Sequence, residues 1–273
     1  MTREADTYER HAAPLTNLFT GHVLDAAGDL AGTVLIDVAC GTGLVARAAA
    51  RRGARRVLGV DLLDWMAARA RQRAVVERLD NVSFARMDAA HLALRDAVAD
   101  AALCQFGLML MDEAEAAARE LRRITRPGGK IVCAVWSTPD RAPAFADFLD
   151  AAGEVVSGEP LSPTHAIFRL GGDGVLAGLL ADAGLIDVEE RRIMEVDTRA
   201  SPEAYWAWMS STVGFRGGPD EEAPVTTADR LGQRIQQAIR GRTLARADCW
   251  RRPDGSLRFP MEAVVVRAVV PGQ

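Results

Sequence analysis

The alternation of apolar runs with segments of helical period constrains the fold more than any other feature of this sequence. Five short apolar runs predict buried strands, at Val34–Val38, Arg56–Val60, Val82–Arg86, Ala101–Gln105 and Lys130–Val135. The segments between them predict helices, at Leu44–Arg52, Leu63–Arg78 and Glu113–Thr125. Strands that alternate with helices build βαβ units, in which a parallel sheet carries helices on both faces. The pattern therefore predicts an α/β fold.

The third of these helices carries signals at both ends. Asp112 is its predicted N-cap, and Pro127-Gly128-Gly129 stops it and turns the chain into the next strand. Beyond Trp136 the pattern is less regular. It predicts helices at Ala142–Val156, Gly174–Ala183, Pro202–Thr212 and Thr227–Arg240, and strands at Ile186–Val196 and Phe259–Val270.

Composition narrows the class of protein. The chain has 273 residues, 49% of them apolar, which suits one large domain with a sizeable core. A formal net charge of −4 disfavours nucleic acid or an anionic membrane as partner. The four cysteines form no CxxC pair, so we predict neither a metal site nor a disulfide framework. The charged N-terminus does not resemble a signal peptide, and we expect a cytoplasmic protein.

A glycine-rich turn follows the first predicted strand, in the stretch VLIDVACGTGLVARAAA. Its Gly41-x-Gly43-x-x-Ala46 spacing alone is compatible with several nucleotide binders. Asp37 at the mouth of the same turn would repel a pyrophosphate in a half-buried cleft, whereas it would attract a cationic ligand. The charge of Asp37 therefore favours a cofactor such as S-adenosylmethionine over NAD.

Two further acidic residues follow the next two strands. Asp61 ends the run GVD, where a carboxylate can accept hydrogen bonds from both ribose hydroxyls. Asp88 follows the third strand, where a carboxylate can accept a hydrogen bond from the amino group of adenine. Three acids after three successive strands predict a nucleoside site along one crevice.

With these motifs in place, the chain resembles the class I S-adenosylmethionine-dependent methyltransferases. It is most similar to the bacterial small-molecule branch related to the ubiquinone/menaquinone C-methyltransferases, and the resemblance covers nearly the whole chain. The resembling segments include VLIDVACGTGLVARAAA, GVDLLDWM, MDAAHL and ADAALCQFGLMLMDEAEAAARELRRITRPGGKIVCAVW. The resemblance implies a Rossmann-like, doubly wound sheet of seven strands with an antiparallel last strand. It also implies a helical lid.

The resemblance assigns the cofactor site residue by residue. The residues it places against the cofactor are Tyr8, Asp37, Ala39, Cys40, Gly41, Gly43, Asp61, Leu62, Met66, Asp88, Ala89, Gln105 and Phe106. It also implies a single methyltransferase domain over 1–273, with an N-terminal helical cap at 1–30 and a cofactor-binding half at 31–137. Residues 200–250 would form a lid inserted between the last two strands.

The acceptor side carries no catalytic motif of its own. Methyl transfer from a sulfonium mainly requires alignment and exclusion of water, and a base is needed only for a protonated acceptor. His165 is the candidate base, and His11, Tyr205 and Trp206 are candidates for the substrate pocket. The predicted partner is a small-molecule substrate; neither nucleic acid nor a membrane is expected as a partner. A homodimer is possible.

Three rival functions remain at this stage. A cyclase or decarboxylase of the same fold would bind the cofactor without transferring its methyl group. An NAD-dependent oxidoreductase is disfavoured by Asp37, and a binding module without activity leaves the lid unexplained.

Overall fold

The computed structural model describes residues 3–212 and 232–272. Seven strands form one sheet in the order β3-β2-β1-β4-β5-β7-β6. Their bounds are β1 Val34–Val38, β2 Arg56–Asp61, β3 Val82–Arg86, β4 Ala99–Gln105, β5 Thr125–Trp136, β6 Ile186–Arg199 and β7 Leu257–Val269. Strands β1 to β5 pair in parallel, while β7 runs antiparallel to both of its neighbours, β5 and β6. This topology confirms the predicted doubly wound sheet with an antiparallel last strand.

Helices cover both faces of the sheet. The described helices are α1 Arg3–His11, α2 Ala13–Ala27, α3 Leu44–Arg51, α4 Asp64–Val76, α5 Ala114–Ile124, α6 Pro143–Val156, α7 Val175–Asp182, α8 Pro202–Thr212 and α9 Gln233–Ala247. The alanine-rich faces of α3 and α4 pack on one side, and the apolar faces of α5 and α7 pack on the other. The core therefore has two layers separated by the sheet, as expected for βαβ units.

Several predicted boundaries need correction. Helix α5 begins at Ala114, and the N-cap position belongs to Glu113, which makes no side-chain capping bond, so the predicted cap at Asp112 is wrong. Strand β5 already begins at Thr125, because that residue pairs with Ala99 before a register shift. The Pro-Gly-Gly segment is therefore an irregular part of the strand and not a loop before it.

The region between β6 and β7 is described only in part. Helix α8 has the predicted bounds Pro202–Thr212. Helix α9 extends to Ala247, beyond the predicted end at Arg240, because Thr243 and Ala247 continue its buried face. Residues 227–231 of the predicted helix lie outside the described residues. Within the described ranges, no helix is long and apolar enough to cross a membrane.

Candidate functional site

The glycine-rich turn lies at the carboxyl end of β1 and has a left-handed backbone. Gly41 has φ +54° and Gly43 has φ +77°, and a Cβ on Gly43 would lie 2.6 Å from the Phe84 ring. Ala39 adopts φ +56° in the same turn, a conformation that costs a non-glycine residue energy. A Cβ on Gly107, which follows β4, would lie 2.5 Å from the Ala39 Cβ. The turns after β1 and β4 therefore meet, and the turn after β4 needs glycine where it touches Ala39.

Asp37 is the last but one residue of β1 and lines the cavity over the turn. Its side chain is 1% exposed, and its Oδ2 accepts a hydrogen bond of 2.9 Å from the backbone N–H of Ala46 in the first turn of α3. The pKa of the Asp37 carboxyl is raised to about 8, chiefly by burial; the Ala46 bond opposes this shift, and the nearby Asp61 adds a smaller raising effect. A cation that reaches this carboxyl would bring it back to its charged form.

Asp61 ends β2 and holds the glycine-rich turn in place. Its Oδ2 accepts a bond of 2.8 Å from the N–H of Gly41, and its Oδ1 accepts one of 3.0 Å from the N–H of Leu63. Burial raises the pKa of Asp61, and these backbone bonds oppose that shift. The sequence placed Asp61 correctly at a strand end, but it gave no sign of this link to the turn.

The three acids lie at the carboxyl ends of three adjacent strands: Asp37 within β1, Asp61 as the last residue of β2, and Asp88 just after β3. The chain after β3 meets Asp61 directly, since the N–H of Met87 donates to the Asp61 carbonyl at 3.0 Å. Asp88 itself is exposed and accepts a bond of 2.9 Å from the N–H of Ala90. Asp37, Asp61 and Asp88 thus lie in order along the carboxyl edge of β1, β2 and β3.

A cavity of about 30 Å³ lies over the turn, with room for about one or two water molecules. Its lining residues are Tyr8, Thr16, Asp37, Ala39, Cys40, Leu44, Val45 and Gln105. Tyr8 covers the turn, because a Cβ on Gly41 would lie 3.5 Å from its hydroxyl. Burial raises the pKa of that hydroxyl to about 12. At this volume the cavity is too small for a nucleoside in this conformation.

Gln105 supplies an unpaired acceptor at this cavity. Its Nε2 donates to the Thr16 carbonyl at 3.0 Å and to the Thr20 hydroxyl at 3.3 Å. Its Oε1 is buried and has no partner among the described residues. The buried carboxyl of Asp37 lines the same cavity. An acceptor-rich lining of this kind fits a cationic ligand with N–H donors, such as the amino-acid part of S-adenosylmethionine.

Ion pairs hold α1 over the crevice. Arg69 on α4 forms an ion pair with Asp6, and its Nη1 lies 3.6 Å from Oε2 of Glu9. Arg73, one turn further along α4, donates from Nε to Glu9 at 2.7 Å. Opposite charges on α1 and α4 thereby close the side of the cavity next to Tyr8. We call these four charged residues the α1–α4 clamp.

Aromatic rings line the carboxyl ends of β4 and β5. Phe106, at the end of β4, has φ +59° and stacks on Trp136 at 3.9 Å between ring centres. Phe19 of α2 meets both rings edge-on, and Phe145 of α6 lies 5.1 Å from Trp136. These rings extend from the cofactor end of β4 toward α6.

The acceptor candidates have different surroundings. Tyr205 has no exposed surface, and its hydroxyl donates to the Ala144 carbonyl at 2.6 Å, so it packs in the core of this conformation. Trp206 is half-buried, 6.0 Å from the ring of Phe148. His11 is half-buried at the end of α1, where burial and then Arg10 lower the pKa of its imidazole.

His165 lies in a short turn beyond α6. Its Nδ1 accepts a bond of 3.4 Å from the N–H of Ile167. Arg169 of the same segment donates to the Leu108 carbonyl, just after β4, at 3.2 Å. The segment is thus near the carboxyl end of β4, although His165 does not line the cavity.

The other predicted cofactor residues are arranged as follows: Cys40 and Met66 are buried, Ala89 is half-buried, and Leu62 is exposed. The cavity also includes Thr16, Leu44 and Val45, which the sequence analysis missed. Leu44 and Val45 directly follow Gly43 and could have been found from that position. Thr16 lies on α2 and carries no sequence signal of its own.

The chain is similar in sequence to known methyltransferases. Residues 36–133 match the family model described as a methyltransferase domain. The chain is 33% identical over 153 residues to a demethylmenaquinone methyltransferase of Beutenbergia cavernae, covering 54% of this chain and 61% of that protein. It is 30% identical over 181 residues to the demethylmenaquinone methyltransferase of Renibacterium salmoninarum, covering 63% of this chain and 74% of that protein.

Among solved structures, the YcgJ protein of Bacillus subtilis has a similar fold. It superposes with a TM-score of 0.63 at 15% identity, covering 93% of this chain and 98% of that one. At this identity the likeness concerns the fold alone, whereas the sequence relatives above establish the family. The chain therefore belongs to the class I S-adenosylmethionine-dependent methyltransferases.

Proposed function

We propose that the protein transfers a methyl group from S-adenosylmethionine to a small-molecule acceptor. The observation that carries the proposal is the acceptor-rich cavity over the glycine-rich turn, with the buried Asp37 and the unpaired Oε1 of Gln105. Both groups suit a ligand that brings positive charge and N–H donors. A pyrophosphate would meet two acceptors and no compensating side-chain cation at this cavity.

Individual residues would hold different parts of the cofactor. Asp37 and Gln105 would face its amino-acid part, together with Ala39, Cys40, Gly41 and Gly43. Asp61 would accept from the ribose, flanked by Leu62 and Met66, and Asp88 and Ala89 would meet the adenine. Phe106 would flank the sulfonium end, and Tyr8 would cover the bound cofactor. When bound, the cofactor supplies an activated methyl group, and the protein supplies its position.

The protein would otherwise contribute by aligning the methyl donor with the acceptor and by excluding water. Tyr8 of α1 covers the cavity, and the stacked rings of Phe106 and Trp136 lie next to the cavity residue Gln105, at the ends of β4 and β5. If the acceptor carries a proton, a base must remove it, and His165 is our candidate. His11 is a second group able to accept a proton, because its lowered pKa keeps the imidazole neutral near pH 7.

A flat, apolar ring compound is the acceptor that these rings favour. The two relatives above are named for methylation of demethylmenaquinone, a ring compound, which agrees with this proposal. The net charge of −4 supports a small molecule over nucleic acid. A lid at 200–250, a cytoplasmic location and a homodimer remain predictions from the sequence.

The cofactor assignment is tested by thermal unfolding. S-adenosylhomocysteine should raise the melting temperature, because it binds the folded state, and NAD at the same concentration should have little effect. A larger shift with NAD would refute the assignment. Formation of S-adenosylhomocysteine during turnover then separates a methyltransferase from a cyclase or decarboxylase, which would leave the cofactor unchanged.

A further inference from the structure

A buried cation lies at the carboxyl edge of the sheet, beyond the cofactor cavity. Arg199 is the last residue of β6, three residues beyond the predicted end of that strand. Because β6 and β5 are both antiparallel to β7, β6 runs parallel to β5, and its end lies at the same edge as those of β1 to β5. The Arg199 side chain is only 10% exposed.

Most of the Arg199 guanidinium has partners. Its Nε donates to Asp197 Oδ2 at 2.6 Å, and its Nη1 donates to the His11 carbonyl at 3.4 Å. The plane lies over the Trp208 ring, with Cζ 3.7 Å from the ring centre. Its Nη2 is buried and has no partner among the described residues. A buried, charged N–H group without an acceptor is costly and marks a place where a ligand can supply one.

The position of Arg199 connects it to the proposed acceptor space. His11 is one helical turn beyond Tyr8, about 5 Å along α1, and Tyr8 lines the cofactor cavity. On the other side, the rings of Trp136, Phe145 and Trp208 follow one another at 5.1 and 5.5 Å. Arg199 therefore lies at the far end of the aromatic row that starts beside the cofactor cavity.

The charge at this position determines the kind of ligand. Asp197 is itself buried, and its carboxylate already neutralises Arg199. Neutral His11 adds no positive charge. A second anion would therefore leave a net negative cluster in a poorly solvated place, whereas a neutral oxygen would satisfy Nη2 without changing the charge.

We propose that Arg199 is the specificity-determining residue of the acceptor site, and that its Nη2 donates to a neutral carbonyl or phenolic oxygen of a flat ring compound stacked along the aromatic row. This inference rests on the proposed function, because it needs an acceptor site beside the cofactor. Arg199 positions the ring and takes no part in methyl transfer itself.

The test compares three probes of similar shape on the full chain, saturated with S-adenosylhomocysteine. They are 1-naphthol, which has a neutral oxygen, 1-fluoronaphthalene, which is a poor hydrogen-bond acceptor, and 1-naphthoate, which is an anion. Equilibrium dialysis gives their dissociation constants. The wild type should bind 1-naphthol at least about tenfold more tightly than 1-fluoronaphthalene, the difference expected for one bond to a charged donor.

Two variants remove the Nη2 donor without leaving a buried, unpaired carboxylate at position 197. Arg199→Lys keeps a cation for Asp197, and the double variant Asp197→Asn with Arg199→Met removes both charges. In each, the preference for 1-naphthol should fall below about threefold, with 1-fluoronaphthalene bound as in the wild type. Arg240→Lys, an exposed change on α9, is the matched control and should keep the wild-type preference.

Three results would overturn the inference. They are an absent preference in the wild type, a preference that persists in both variants, and a tenfold tighter binding of 1-naphthoate than of 1-naphthol. Failure of the proposed function is a separate result: S-adenosylhomocysteine would then not stabilise the wild type, or turnover would form no S-adenosylhomocysteine.

Discussion

Replacing Asp61 with alanine should weaken both the fold and the cofactor site. The carboxylate accepts the backbone N–H groups of Gly41 and Leu63 at 2.8 and 3.0 Å, so the change leaves two donors without partners next to a buried turn. Each bond to a charged acceptor contributes about 1.5–3 kcal/mol. Removing the carboxyl also relieves a desolvation cost, which the raised pKa of Asp61 reveals. We expect a net loss of about 2–4 kcal/mol of unfolding free energy.

Urea unfolding measures the stability, and calorimetry with S-adenosylhomocysteine measures the affinity. The affinity should fall at least about tenfold, since the ribose loses its acceptor and the turn loses its support. Asp61→Asn should lie between wild type and alanine, because the amide keeps one acceptor oxygen but turns an N–H toward the second donor. Asp29→Ala is the matched control, since exposed Asp29 makes one similar bond, to Ala31 at 2.9 Å. Unchanged stability and affinity in Asp61→Ala would refute our account of the turn.

Three further predictions address other parts of the site. The unfolding free energy of the wild type should fall as the pH rises from about 4 to 8, because the unfolded state releases a proton that folded Asp37 keeps up to its pKa of about 8. Asp37→Asn should remove that part of the slope, and equal slopes in the two proteins would contradict the assignment. Arg73→Gln should remove the shorter of the two ion pairs of Glu9, leaving the one with Arg69, and should speed dissociation of S-adenosylhomocysteine in stopped-flow measurements. Identical rates would show that this ion pair does not hold α1. His165→Ala should lower turnover at least about tenfold with cofactor affinity unchanged. His91 is 76% exposed beside Asp88, at the proposed adenine end of the cofactor, so His91→Ala should change turnover little; the reverse result would refute the placement of the acceptor.

The sheet could be predicted from the sequence because its signals are local. The first predicted strand, Val34–Val38, and the third, Val82–Arg86, have the bounds found in the structure, since each is a short run with a turn signal within three residues of its end, Gly41 after the first and Asp88 after the third. The same locality explains the error at Asp112. A polar residue before a helix is a good cap candidate, but the chain there turns one residue later.

The site depended on contacts that no local pattern encodes. Asp37 bonds to Ala46 across the turn, and Asp61 bonds to Gly41 across twenty residues of sequence. Asp6 meets Arg69 across 63 residues. The sequence therefore indicated which side chains carry the right chemistry, and only the fold showed that two of the three acids also support the backbone around the cavity.

The α1–α4 clamp separates access to the cofactor from the stability of the sheet. Each pair joins an exposed side chain to a largely buried one, Asp6 (47% exposed) to Arg69 (8%) and Arg73 (43%) to Glu9 (14%). The four side chains pair with one another between α1 and α4, apart from the strands of the sheet. Substitutions in these few charges would alter how fast ligands enter and leave while the residues around the reacting atoms stay unchanged. Related chains could therefore diverge in turnover and salt tolerance by exchanging charges on two helices, without any change to the chemistry at the strand ends.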